Sequence, residues 1–189
     1  MTDFEKNHDK RKIKMLNGLE SNESIYIGVG TNLGDRLENI KLAIQLLDNE
    51  GVKVLRTASI YETKAVGFES EDDFYNTVFE IQTSFSALDL LKITQEVERK
   101  IGRKPKVSTN YESRIIDLDI LFYKNEVFNT FELTIPHPRI KQRKFVLHPL
   151  KELIINSLNK SLNPVFRKLK NTSIDEMEPI IVHKPLLVS

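Results

Sequence analysis

The segment Arg114-Ile115-Ile116-Asp117-Leu118-Asp119-Ile120-Leu121-Phe122 places two aspartates inside an otherwise apolar run. Aspartate is a poor strand former, so two within one strand need a reason. Strand side chains alternate, which puts Asp117 and Asp119 on one face and Leu118 and Ile120 on the other. Two carboxylates on one face repel unless a cation lies between them. A hard divalent ion satisfies that arrangement, and magnesium usually keeps waters and substrate phosphates in its remaining positions. The competing reading is a fraying strand end whose carboxylates simply face solvent.

Cations flank this pair. Lys100, Arg103, Lys104 and Lys106 precede it with Arg114, and Lys141, Arg143 and Lys144 follow it. Such groups make sense if the substrate is a polyphosphate, because phosphoryl transfer demands charge neutralisation. A solvated charge run is the plainer account, and the better one for Lys100 and Lys144 taken singly. His137, between Pro136 and Pro138, is either a phosphate contact or a packed turn residue. The run Gly28-Val29-Gly30-Thr31-Asn32-Leu33-Gly34-Asp35 has Leu33 where a dinucleotide fingerprint needs its third glycine, which rejects a Rossmann site. It reads as a tight turn with Asn32 or Asp35 capping the next helix.

The elements that must position these groups follow from periodicity. Strands are expected at 25–29, 52–61, 75–85 and 114–123. Leu37, Ile40, Ala43, Ile44 and Leu47 mark a first helix ending near Gly51. Leu90, Leu91, Thr94, Val97 and Ile101 mark a second, with Ser86 and Asp89 as a capping box. Residues 63–73 and 102–113 read as polar loops. Strand, helix, strand, strand, helix, strand is a split βαβ order, which predicts an α+β sandwich of ferredoxin type with additional C-terminal elements. Residues 1–24 lack periodicity and are expected to be a mobile extension, with 25–189 forming a single domain.

Composition narrows the function. The 189 residues contain no cysteine, which excludes disulfides and thiolate chemistry. A formal net charge of +1 gives no strong field for nucleic acid or an anionic membrane. No apolar run reaches membrane-spanning length, and the charged start is no signal peptide, so a cytoplasmic location is expected.

Together, GVGTNLGDRLENI, YETKAVG, FYN, QEVERKIGR, SRIIDLDILFY and LTIPHPRIKQRKFVLHPL, in this order, resemble the hydroxymethyl-dihydropterin pyrophosphokinases of folate synthesis. The likeness covers roughly residues 26–153. It implies an α+β fold and transfer of pyrophosphate from ATP to 6-hydroxymethyl-7,8-dihydropterin, leaving AMP. By that resemblance Asp117 and Asp119 match the aspartates that hold two magnesium ions, and Arg103 and Arg114 match catalytic positions. Leu91, Gln95, Ile120, Thr134, His137, Lys141 and Arg143 match the nucleotide side. Asn76 matches the side chain that reads the pterin amide edge. Phe74 and Phe145 match the stacking pair, while Thr63 and Val66 match loop positions facing the ring. Glu98 falls at a family position without an assigned role.

The chain also departs from the family pattern. Lys104, Lys106, Asn110 and Tyr111 occupy a loop where arginines and a tryptophan are usual, and Ser113 stands in place of a proline. Lysine acts only as a point charge, so a weaker phosphate grip is expected there. Split βαβ sheets also serve as RNA platforms, but those want aromatics on the central strands, not two carboxylates. A ligand-sensing domain without catalysis is the other alternative. Association with other folate enzymes is left open.

Overall fold

Along β1 (Ile25–Thr31), Ile25, Ile27 and Val29 enter one hydrophobic core while Tyr26 enters a second. This alternation divides the molecule into two packed faces. The computed structural model describes residues 24–155, apart from 69 and 105–111, together with 180–186 and 188. The expected extension at 1–24 therefore lies, except for Ser24, outside the described residues.

Helix α1 (Arg36–Asn49) starts at Asp35, whose carboxylate accepts the Glu38 N–H at 3.1 Å, and Gly51 follows it with φ +78°. Helix α2 (Ala87–Ile101) starts at Ser86, which accepts the Asp89 N–H at 3.2 Å, and ends on left-handed Gly102. Both bury apolar faces (Ile40, Ala43 and Leu47; Leu90 and Val97) against the β1 residues of the first core.

The strand expected at 52–61 is two strands, β2 (Lys53–Thr57) and β3 (Ile60–Thr63), both pairing with β4 (Phe74–Gln82). The ladder slips between Val54 and Arg56, and Ser59 turns its N–H onto the Glu152 carboxylate. The strand expected from 114 begins only at Asp117, as β5 (Asp117–Tyr123). Residues 114 and 115 bond instead to Asn32, just after β1, and to side chains. Asn32 N–H donates to Arg114 O, and Asn39 Nδ2 donates to Ile115 O.

A short hairpin follows, β6 (Phe128–Asn129) and β7 (Thr134–Ile135), then a 3₁₀ turn (Ile140–Gln142), α3 (Lys144–Ile155) and β8 (Ile180–His183). The sheet runs β5-β1-β4-β3-β8, with β2 also on β4, and every pairing is antiparallel. Its β5-β1-β4-β3 order with α1 and α2 on one face is the ferredoxin-type sandwich. The additional α3 packs on the opposite face. There Val146, Leu147, Leu150 and Leu153 join Tyr26, Val78, Leu121 and Phe122.

Glu152 fastens α3 to β3. Its carboxylate accepts Ser59 N–H (3.1 Å), Ser59 Oγ–H (3.0 Å) and Tyr61 Oη–H (2.9 Å). Burial first, and then that hydrogen bond, push the Tyr61 hydroxyl above its usual pKa. Glu152→Ala leaves these donors unmet and should cost roughly 2 kcal/mol in urea unfolding, with Glu152→Gln recovering part. An unchanged midpoint in Glu152→Ala would show that α3 is held by its apolar contacts alone.

Candidate active site

The register of three strands sets the site. Gly30 of β1 lies opposite Asp117 of β5 on one side and Asn76 of β4 on the other, and Gly28 lies opposite Asp119. Directly opposed residues share a sheet face, and strands lie about 4.8 Å apart. Asp117 and Asn76 are thus roughly 10 Å apart with no side chain between them. A Cβ on Gly30 would stand 3.3 Å from Asn76 Oδ1, and one on Gly28 would stand 3.2 Å from Leu121 Cδ2.

Above this bare strip is a cavity of about 280 Å³. Thr63, Val66, Phe74, Asn76 and Phe145 line one part, and Arg114, Asp117, Asp119 and Arg143 line another. Asn76 is 4% exposed and donates from Nδ2 to Thr63 Oγ1 at 2.8 Å, which fixes its amide. Gly28, Gly30, Lys64, Phe68, Arg139 and Gln142 also line the cavity, and the residue pattern had not marked them as site residues. The strand expected at 25–29 runs on to Thr31, so Gly30 as well as Gly28 is a strand residue on the cavity floor, and of the two expected caps it is Asp35 that starts the helix. The two-residue spacing of the glycines, matching that of the aspartates, is the signal that could have found them. Phe68 follows Gly67 (φ +86°) and stands edge-on to Phe74, with ring centroids 6.1 Å apart.

Guanidiniums from connecting segments converge on the carboxylates. Arg103 reaches Asp117 Oδ1 at 2.7 Å, and Arg114 holds the other oxygen. Arg143 lies 3.0 Å from Asp119 Oδ2, and His137 Nε2 lies 3.8 Å from the same oxygen. Burial, then the charge of Asp117, raise the Asp119 pKa, while burial lowers that of His137. Among the described residues no third carboxylate, histidine or cysteine completes a metal cage. Two oxygen donors on one face fit a hard cation that takes its other ligands from phosphate and water.

The remaining expected nucleotide contacts lie outside the cavity lining. Gln95 and Lys141 are exposed, Leu91 and Thr134 are half-buried, and Ile120 lies 4% exposed in the first core, on the face opposite Asp119. His137 is fixed by its N–H to Leu121 O at 3.0 Å. Lys104 is exposed, while Lys106, Asn110 and Tyr111 lie outside the described residues. No helix among the described residues is long and apolar enough to cross a membrane.

Residues 26–155 match the family described as 7,8-dihydro-6-hydroxymethylpterin-pyrophosphokinase. The 2-amino-4-hydroxy-6-hydroxymethyldihydropteridine pyrophosphokinase of Aquifex aeolicus is 36% identical over 162 residues, 86% of this chain and 94% of that protein. The protein of the same name from Bacillus subtilis is 41% identical over 133 residues, 70% of this chain and 78% of its own. The folic acid synthesis protein fol1 of Pneumocystis carinii is 41% identical over 141 residues, 75% of this chain, but the match spans only 19% of that longer protein. The fold is shared with a crystal structure of an HPPK-DHPS in complex with substrates, at TM-score 0.57 and 14% identity, covering 79% of this chain and 43% of that one.

Glu98 sits beneath the site. It accepts the N–H of Leu118, between the two aspartates, at 2.7 Å and pairs with Arg103 at 2.5 Å. Burial pushes its carboxyl from 4.5 to about 7, against the opposing pull of Arg103. The folded state thus holds this proton more tightly than the unfolded chain. Its stabilising contribution is full below about pH 4.5 and is lost as the pH rises to about 7. Urea unfolding across that window should show a decline of roughly 2–3 kcal/mol that Glu98→Gln flattens. The same slope in the variant would assign the decline to other groups.

Proposed function

The chain belongs to the 7,8-dihydro-6-hydroxymethylpterin-pyrophosphokinase family, and on that premise we propose that it moves the β,γ-pyrophosphoryl group of ATP onto the hydroxymethyl oxygen of 6-hydroxymethyl-7,8-dihydropterin. The hydroxymethyl oxygen bonds to the β-phosphorus, the bond from that phosphorus to the α,β-bridging oxygen breaks, and AMP leaves. The observation that carries this reading is the row Asp117–Gly30–Asn76. It forms a bare slot about two strand spacings wide, with a carboxylate at one end and an amide at the other.

Asn76 and Thr63 would bind the amide edge of the pterin, and Phe74 and Phe145 would take its faces, an arrangement that stacking favours. Arg103, Arg114 and Arg143 already sit on the carboxylates and are placed to receive a triphosphate. Asp117 and Asp119 would hold two magnesium ions. When bound, magnesium neutralises phosphate charge and helps to align the reacting groups. Leu91, Gln95, Thr134, His137 and Lys141 are assigned to the nucleotide, and Ile120 through its backbone alone, because its side chain lies in the core. Lys64, Val66, Gly67 and Phe68 line the cavity and would limit water's access to the phosphates. A loose transition state needs little base assistance, in keeping with a site built from positioning groups. The cytoplasm is the proposed compartment. RNA binding is disfavoured, since β1 and β5 present glycines and carboxylates on this face.

Supplied with ATP, magnesium and the reduced hydroxymethylpterin, the protein should release AMP. Release of ADP instead would overturn the pyrophosphoryl assignment. Asp117→Asn and Asp119→Asn should each lower kcat by roughly 100-fold or more while leaving the fold intact by circular dichroism. Near-normal turnover in both would remove the metal assignment. Gly30→Ala adds a methyl 3.3 Å from Asn76 Oδ1, so it should raise KM for the pterin much more than KM for ATP. Equal effects on both would argue against a pterin slot at this strip.

A further inference from the structure

Asn32, at the end of β1 and 1% exposed, lies where two loops bordering the cavity meet. Its N–H donates to Arg114 O at 3.1 Å, and its Oδ1 accepts the Arg114 N–H at 2.7 Å. A backbone N–H can only donate, so this second bond fixes the amide orientation. Nδ2 therefore faces the hydroxyls of Ser113 (2.9 Å) and Ser70 (3.1 Å). Those hydroxyls lie 3.2 Å from each other. Ser70 Oγ also approaches Asp72 O at 3.0 Å and accepts the Asp72 N–H at 3.3 Å.

Ser70 belongs to the loop that leads into Phe74 and Asn76, the apolar and amide walls of the cavity. Ser113 precedes Arg114, which holds Asp117 at the carboxylate end. We infer that Ser70 and Ser113, gripped by Asn32, form a latch that joins the two loops and sets the spacing between the two halves of the cavity before either substrate arrives. The inference rests on the pterin-and-nucleotide reading of that cavity. Neither serine lines the cavity, so both are positioning residues. Ser113 is also where the resemblance calls for proline, a side chain with no hydroxyl to contribute.

The latch has a signature that ordinary local packing lacks, because removing one hydroxyl must loosen the loop that carries the other. The test uses the full chain with Ser70→Ala, Ser113→Ala, the double variant and Ser113→Thr, which keeps the hydroxyl. Amide hydrogen exchange is measured without ligands, and steady-state kinetics are measured with ATP, magnesium and pterin. Ser113→Ala should speed exchange at residues 70–74 roughly three- to tenfold, as loss of one neutral hydrogen bond predicts, and Ser70→Ala should do the same at 113–116. Pterin KM should rise by a similar factor, the double variant should be no worse than the worse single one, and Ser113→Thr should stay close to the parent. Exchange confined to the mutated loop, or additive effects in the double variant, would overturn the latch. If the parent protein lacked turnover, the functional reading would fall, while the exchange experiment would still decide whether the loops are joined.

Discussion

Everything around the cavity depends on holding like charges together. Asp117 and Asp119 share one strand face, and Glu98 lies just beneath them. Their mutual repulsion is met by Arg103 after α2, Arg114 before β5 and Arg143 before α3. Each arginine stands at the boundary of a different element, so the electrostatic requirement is met by side chains from segments far apart in the chain. Arg103 spans two of the carboxylates, Glu98 and Asp117, and thereby ties the end of α2 to the start of β5.

The same requirement shapes the sheet. Carboxylates could not border an open slot if the neighbouring strand filled it, so β1 is bare at Gly28 and Gly30. Two residues before Gly28, Tyr26 enters the second core. The switch from slot to packed core is made within a few residues, and the ladder between β1 and β5 slips at that point, between Tyr26 and Ile27. Leu121 and Phe122 then both face the second core, with Leu121 lying across Gly28.

Features governed by near neighbours were legible in the sequence. Asp35, Ser86, Gly51 and Gly102 mark helix ends through local backbone chemistry, and the alternation of β5 placed Asp117 and Asp119 together. Features decided by distant partners were not. The break between β2 and β3 is set by Glu152, from α3. The late start of β5 is set by Asn32 and Asn39, which take the backbone groups of residues 114 and 115. Gly30 looks like a turn glycine until the strands on either side are known. The resemblance supplied Phe74, Asn76 and Phe145, which no periodicity would have grouped.

Among the described residues β5 is an edge strand as well as the strand bearing the aspartates. An edge offers unpaired N–H and C=O groups to any chain that can add a strand to it, the common route to aggregation. Here Glu98 takes the outward N–H of Leu118, and His137 gives its own N–H to Leu121 O. The two aspartates add charge along the same short strand. The groups that arrange the site therefore also occupy backbone groups along the outward side of the strand that carries it.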